Sequence, residues 1–490
     1  MPLPTMTPSE RESHFHHLTT LCSEFYTPTH PSYSAHSTPW SLHSHLSPQL
    51  VLLPATLQSL QAILAYLYPL PGLPFSIRNT GTGGSSSPSV LISMSHFNSF
   101  AYDPSTSIAT VGAGLSWGEV DTFMEEATDG EMACVGARCT WVGVTGSTLV
   151  GGLSWLSQEW GMISDPQNLL DAQVILWDGR IVWAVQDGYE DLMWGVRGGG
   201  GGFGVVTALK FRAHPVPKNA FAGVILLPYE SLQATSTAVA KFSTLPSNPK
   251  TALHITNQGP GMGQQDQGPR PGLALLPVDF LGEAHARSAE GFGWIYSLPG
   301  AKELVSGEMS YRQVNALADS FKSYQGKNMF WACAPLLEGR LEEGILERAW
   351  TWYEECYGLE KGFGSGSTVL LEFMQEKAFS STSGREATAW PHSGHRHVMQ
   401  LVLGCRPEDA SPGLEEVVMR QLEKAGKEIG RERFTGEYHP GFLHSWNDVK
   451  EVYGDNFERL VVVKEKYDPL GRFEGNIDWK RGRVMMRNEM

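Results

Sequence analysis

Three glycine-rich stretches constrain this chain more than any other feature. The first is Arg78-Asn79-Thr80-Gly81-Thr82-Gly83-Gly84. The second runs from Gly136 through Cys139, Val142 and Gly143 to Gly151-Gly152. The third is Arg197 to Thr207. Glycine lets a loop turn with positive φ and lets backbone N–H groups approach an anion closely. Neither of the first two is a G-x-G-x-x-G dinucleotide loop or a G-x-x-x-x-G-K-[ST] phosphate loop. Loops spread over this much chain suit a diphosphate cofactor lying along several of them, and predict FAD rather than FMN or NAD.

Composition narrows the class. At 490 residues the chain buries a large core and has room for more than one domain. Only 18% of residues are charged and the net charge is −15, which argues against nucleic acid or an anionic membrane as partner. The 53 glycines and 30 prolines are dispersed, as in a loop-rich α+β enzyme. The first ten residues lack a basic start and an apolar core, and no long uninterrupted apolar run occurs. Six scattered cysteines show neither metal spacing nor a disulfide framework. The expectation is a cytoplasmic enzyme without a metal site. His14, His16 and His17 read as a solvated segment.

Apolar spacing predicts helices over 11–25, 56–67 (capped by Thr56) and 118–129. Strands are predicted over 75–78, 90–93, 173–177, 181–185 and 205–211, with Asp178-Gly179 as a hairpin turn. His214-Pro215-Val216-Pro217 reads as a domain exit. Beyond it, strands are predicted at 222–227, 252–255, 273–278, 368–373 and 397–403. Helices are predicted at 284–297, 311–321, 338–357, 412–429 and 455–466.

Several segments in order resemble one flavoprotein family. Phe75-Ser76-Ile77-Arg78-Asn79-Thr80-Gly81 is similar to its phosphate loop, and Val111-Gly112-Ala113-Gly114 with Trp117-Gly118 to a following conserved-type turn. Val142-Gly143-Val144-Thr145-Gly146 to Gly152 resembles the loop beside the flavin ring, followed by Trp160-Gly161 and Asp165. Arg197-Gly198-Gly199-Gly200 with Phe203-Gly204-Val205-Val206-Thr207, Ala389-Trp390-Pro391-His392, and Lys466-Tyr467-Asp468-Pro469 with Phe473 complete the set. On these the chain is identified as a member of the berberine-bridge-enzyme-like branch of the vanillyl-alcohol-oxidase superfamily. The resemblance implies an α+β protein. Its PCMH-type FAD-binding domain is in two parts, 1–217 and 441–490. An inserted substrate domain, 218–440, has an antiparallel sheet covered by helices. It also implies FAD contacts from Arg78, Asn79, Thr80, Gly81, Thr82, Gly83, Cys139, Val142, Gly143, Thr145, Gly146, Gly151, Gly152, Gly204 and Val205.

The departures matter more. The family's histidine that bonds the flavin 8α-methyl falls at Thr82, which rules out a histidyl link. Cys139, in Cys139-Thr140-Trp141-Val142-Gly143, matches the cysteine that bonds flavin C6, with Thr140 replacing a proline. Loop N–H groups and Arg138 could lower its pKa; an inert buried thiol is the alternative. FAD is therefore expected to be noncovalent or singly attached through Cys139. Gln400 stands where plant relatives carry a glutamate base, and an amide cannot take a proton, though it can orient a substrate. Proton transfer then falls to a histidine. His392 and His444 are the candidates. His397 is demoted, since alternation puts it on the opposite strand face from Gln400. His392, His395 and His397 do not share the face a metal site needs.

The expected function is FAD-dependent oxidation of a small hydrophobic organic molecule, a specialised metabolite. Hydride passes to flavin N5 and dioxygen serves as an electron acceptor. A redox-neutral isomerase or cyclase on the same scaffold is the alternative; a non-catalytic flavin binder is a third.

Overall fold

The computed structural model describes residues 6–259, 267–382, 384–473, 477–479 and 481–484. Its first layer is small. The helix Leu57–Leu67 presents Leu60, Ile63, Leu64 and Leu67 to a four-stranded sheet, and Thr56 caps it by accepting from the Ser59 N–H at 3.1 Å. In that sheet Phe25–Tyr26 pairs antiparallel with Leu50–Leu52. The latter runs parallel to Val90–Ser93, which runs parallel to Phe75–Arg78. Arg78 therefore ends an edge strand, and the first glycine loop leaves from its end.

A second sheet orders Phe100–Asp103, Ile108–Gly112, Val205–Pro215, Leu169–Ile175 and Ile181–Trp183, with Met132–Cys134 paired to the far end of Val205–Pro215. The helix Trp117–Thr128 packs its buried Trp117, Val120 and Met124 into the same core. The second glycine stretch follows Met132–Cys134 and includes the short helix Val144–Leu149.

Between Pro215 and Ala220 the chain leaves this sheet and enters another of nine antiparallel strands. Its order is Lys302–Met309, Ala220–Leu227, Leu273–Asp279, Thr251–Asn257, Thr368–Phe373, Arg396–Cys405, Pro335–Glu338 and Phe434–Tyr438, with Met329–Cys333 also paired to Arg396–Cys405. Side-chain alternation gives this sheet two different faces. Leu253, Ile255, Leu371, Met399 and Leu401 lie under the helices Leu232–Phe242, Ile345–Leu359 and Leu414–Gly430. Ala222, Val224, Ala252, Leu276 and Val398 instead share a core with Trp117, Trp155 and Trp390. The covered antiparallel sheet and the mixed α+β architecture match the expected fold class.

Some predicted helices break where glycine interrupts them. The 284–297 segment is two single turns, Glu283–Ala286 and Gly293–Tyr296; a Cβ at the intervening Gly291 would come within 2.3 Å of the His285 carbonyl. The 338–357 helix starts only at Ile345, after the strand Pro335–Glu338 and the positive-φ Gly344. The 311–321 helix is α-helical to Asn315 and then 3-10 to Tyr324. No described helix is long and apolar enough to cross a membrane.

Candidate functional site

The first two glycine loops meet edge to edge. Asn79 Nδ2 donates to the Leu115 carbonyl at 3.2 Å, and Thr145 Oγ1 donates to that of Ala113 at 3.0 Å. Gly143 fits only without a side chain, because a Cβ there would lie 2.6 Å from Asn79 Nδ2. On the other side of the junction there is room. A Cβ built on Gly83 or on Gly146 meets no atom within 4 Å. Asn79 Oδ1 is buried without a hydrogen-bond partner among the described residues. Thr80 and Thr82 place their hydroxyls 3.1 Å apart on the same loop. Two close-approach loops, open space beside their glycines and an orphaned polar atom fit a phosphate-bearing cofactor.

Arg78, although it opens this loop, turns away from it. Its buried guanidinium donates to the carbonyls of His36 (2.9 Å) and Thr38 (2.5 Å), and burial lowers its pKa to about 10. Gly81, at φ +81°, lies over that guanidinium, where a Cβ would come within 2.6 Å. The remaining glycines are packing positions. Gly151 faces the Trp390 ring, the Gly152 carbonyl accepts from the Ile163 N–H at 3.2 Å, and Gly204 abuts the Ile175 carbonyl beside the Val205–Ile175 pair. The Gly200 N–H reaches the Leu149 carbonyl at 2.8 Å, which seats the third glycine stretch on the helix of the second. Val142 closes a turn on the Cys139 carbonyl at 3.2 Å.

Arg138 and Cys139 lie in the second loop, against the side of the nine-stranded sheet away from its three helices. Arg138 forms an ion pair with Glu372, whose side chain is fully buried. Gln400, on the adjacent strand, donates from Nε2 to Glu372 Oε1 at 2.5 Å. On the other flank His254 is the register partner of Glu372, and its ring lies 4.1 Å from that of Trp155. Burial raises the Glu372 pKa while Arg138 opposes the rise. His254 is held neutral, its pKa pushed well down by burial and by Arg138. Burial pushes the Cys139 thiol up to about 12, and the lowering by Arg138 is opposed by Glu372 and Asp319. Arg138 is already engaged by a carboxylate.

Sequence reasoning missed Glu372 and His254. The available signal was local: each is the single ionisable residue of its strand, Thr368–Phe373 and Thr251–Asn257. The histidines it named lie elsewhere. His392 is buried, with Nε2 3.0 Å from Asp165 Oδ1 and Nδ1 3.0 Å from the Trp390 carbonyl. Asp165 raises the His392 pKa against the opposing effect of burial. His444 is half-buried; its Nε2 bonds to the Ala332 carbonyl at 2.8 Å, and burial lowers its pKa. His397 lies on the helix-covered face, taking the Met374 N–H at 2.9 Å and donating to the Gly339 carbonyl at 2.8 Å.

Comparisons with known proteins agree with this geometry. Residues 48–184 match the model of an FAD binding domain, and residues 437–476 match the "Berberine and berberine like" model. An uncharacterized FAD-linked oxidoreductase of Bacillus subtilis, YvdP, is 39% identical over 394 residues, covering 78% of this chain and 80% of that one. The (R)-6-hydroxynicotine oxidase of Paenarthrobacter nicotinovorans is 26% identical over 432 residues, 83% of this chain and 85% of its own. Among solved structures, the berberine-bridge-enzyme-like 1 protein of Physcomitrella patens superimposes with a TM-score of 0.77 at 18% identity, covering 93% of this chain and 97% of its own. A berberine bridge enzyme variant in complex with (S)-reticuline gives 0.77 at 18%, covering 96% and 99%. With the matched FAD domain on the loops described and a relative this similar, the chain belongs to the berberine-bridge-enzyme-like FAD-linked oxidoreductases, and its cofactor is FAD.

Proposed function

We propose that this enzyme oxidises a small hydrophobic organic molecule, a specialised metabolite, where the Arg138–Gly146 loop meets the sheet face away from the helices. The observation that carries the reading is the Arg138, Glu372 and Gln400 group, the polar centre of an otherwise apolar wall that includes Leu276 and Val398. A few convergent polar groups in an apolar surround are what a small-molecule site needs. One similar protein, the (R)-6-hydroxynicotine oxidase, is named for an activity of this kind. Bound FAD supplies a two-electron sink, taking hydride at N5 and passing electrons to an acceptor such as dioxygen. The chain's part is to orient the molecule through Gln400, exclude water through Trp155 and the sheet, and manage a proton. Burial pushes the Cys139 thiol up to about 12, which disfavours the thiolate at neutral pH and supports noncovalent FAD over attachment through Cys139.

The test is spectroscopic. Acid precipitation of purified holoenzyme is expected to leave a colourless pellet and FAD in solution. A panel of benzylic alcohols and cyclic amines, added anaerobically, is expected to include members that bleach the flavin band, with air restoring it. Product formation without bleaching would replace this reading with the redox-neutral one. A coloured pellet that turns colourless in Cys139→Ala would establish the thioether.

A further inference from the structure

Arg78 turns away from the first glycine loop because it holds another part of the chain, the carbonyls of His36 and Thr38. Thr38 is extended, as the following Pro39 favours, and the chain runs on to Trp40. There it is tied on two sides. The Trp40 N–H donates to the Gly81 carbonyl, one residue before Thr82, and the Leu46 N–H to Ser86 Oγ, both at 3.0 Å. On the other side, the Gly326 N–H donates to the Trp40 carbonyl and the Leu42 N–H to that of Asn328, both at 3.0 Å. Ser41 Oγ donates to the Phe330 carbonyl at 3.1 Å and accepts from the Phe330 N–H at 2.9 Å. Residues 36–46 are thus a strap running from the first glycine loop to the Met329–Cys333 strand of the nine-stranded sheet. The second loop is fastened to it by a ring contact. The half-buried indoles of Trp40 and Trp141 are stacked, with centroids 5.1 Å apart and planes within 7°. Beside Trp141, the Thr140 hydroxyl donates to Asp319 of the segment Ala316–Tyr324, in which no residue is buried.

We propose that residues 36–46 are a gate for FAD and that the Trp40–Trp141 stack is its fastening. The inference rests on FAD and its loops and is independent of which substrate the enzyme takes. The first two glycine loops border the open room at Gly83 and Gly146. The strap holds the first loop to the nine-stranded sheet, and the stack holds the second loop to the strap. The loops therefore part only when the two indoles part. Parallel planes at this centroid distance are the offset stack that aromatic quadrupoles favour. The strap's hydrogen bonds are exchanged for water when it lifts, at little net cost each, whereas the separated indoles lose contact and expose apolar area. The stack is thus the part of the fastening that sets how often the gate opens. Every fastening is between protein groups, so the gate is closed in the free protein as in the FAD-bound one. Loosening it speeds entry as well as exit. Trp40 and Trp141 are positioning residues in this scheme, acting on the loops that hold FAD.

FAD exchange in both directions tests the gate. Every form carries Cys139→Ala, so that exchange is read whether or not the unsubstituted protein bonds its flavin. Release is followed by flavin fluorescence after dilution of the FAD-loaded protein, and entry by stopped-flow mixing of FAD with the apo-protein. Trp40→Ala, Trp141→Ala and Trp141→Leu are each expected to exchange FAD about tenfold faster in both directions. The double alanine variant is expected to be no faster than either single one, because the same stack has been removed once. Trp141→Phe, which keeps a flat ring, is expected to return most of the way to the parent rates. Faster release with slower entry marks damage to the cofactor site itself and overturns the gate. Additive effects of the two alanines, or parent rates in Trp141→Leu, overturn the stack as its fastening. Should the alanine variants not fold, Trp141→Leu and Trp141→Phe still decide, since both side chains are apolar and only one is flat: equal rates in the two contradict the inference.

Discussion

His392 is held firmly by its surroundings. Both ring nitrogens lie 3.0 Å from oxygen atoms, of Asp165 and of the Trp390 carbonyl, and the ring is buried. Asp165 also accepts from the Met162 N–H at 2.8 Å and the Ser381 hydroxyl at 2.9 Å, so the pair ties the 389–392 segment to residues 162–165. Its folded pKa is raised. Stability from this group is therefore fully present below the unfolded value of about 6.5 and declines as pH rises through the higher folded value. His392→Ala is expected to cost about 3–5 kcal/mol by leaving Asp165 buried without its cation. Denaturant unfolding at mildly acid and alkaline pH checks this, and a variant as stable as wild type at acid pH contradicts it. Burial likewise dominates at Cys139, raising its thiol pKa although Arg138 lowers it, and Glu372, the partner of Arg138, adds to the rise.

At the scale of elements, two glycines on one loop have opposite duties. Gly143 packs against Asn79 and Thr80, with a hypothetical Cβ 2.6 Å and 3.0 Å from their side-chain atoms, whereas Gly146 borders open space from within the helix Val144–Leu149. Gly143→Ala is expected to push the two loops apart, lowering both apo-protein stability and FAD retention. Gly146→Leu should keep or slightly raise apo-protein stability, since an interior helical glycine costs about 0.5–1 kcal/mol relative to alanine. It should nevertheless weaken FAD binding by filling the space beside the loops. FAD titration of the two apo-proteins, alongside thermal unfolding, separates the cases, and unaltered FAD affinity in Gly146→Leu would remove that glycine from the cofactor site. Among the elements, strands with strong apolar pattern were legible: Phe75–Arg78, Val90–Ser93 and Thr368–Phe373 lie where the sequence predicts them. Lys302–Met309 was not predicted, because an edge strand exposed over most of its length lacks the apolar alternation that marks a strand.

Across the whole molecule, the C-terminal part clasps the glycine loops. Buried Lys464, on the helix Phe457–Tyr467, donates to the Gly202 carbonyl at 2.6 Å and to Asp468 at 2.7 Å, and Asp468 accepts from the Tyr68 hydroxyl at 2.9 Å. Lys464→Met leaves that carboxylate buried without the cation, and a loss of about 3–5 kcal/mol with weakened FAD retention is expected; urea unfolding and gel filtration of the holo-protein measure both. The cofactor class was readable from the sequence because each glycine loop is a contiguous run, and the family from the resemblance of several such runs in order. The absence of a histidyl link was inferred in the same way from the single residue Thr82. Tertiary structure alone decided which ionisable groups meet. Arg138, His254, Glu372 and Gln400 are far apart in the chain, and only strand register in the nine-stranded sheet, with a loop from another sheet laid across it, brings them together. A carboxylate in an apolar strand is visible in sequence, but whether it faces helices or the site depends on pairing across long separations. That pairing is set by the packing of the whole sheet.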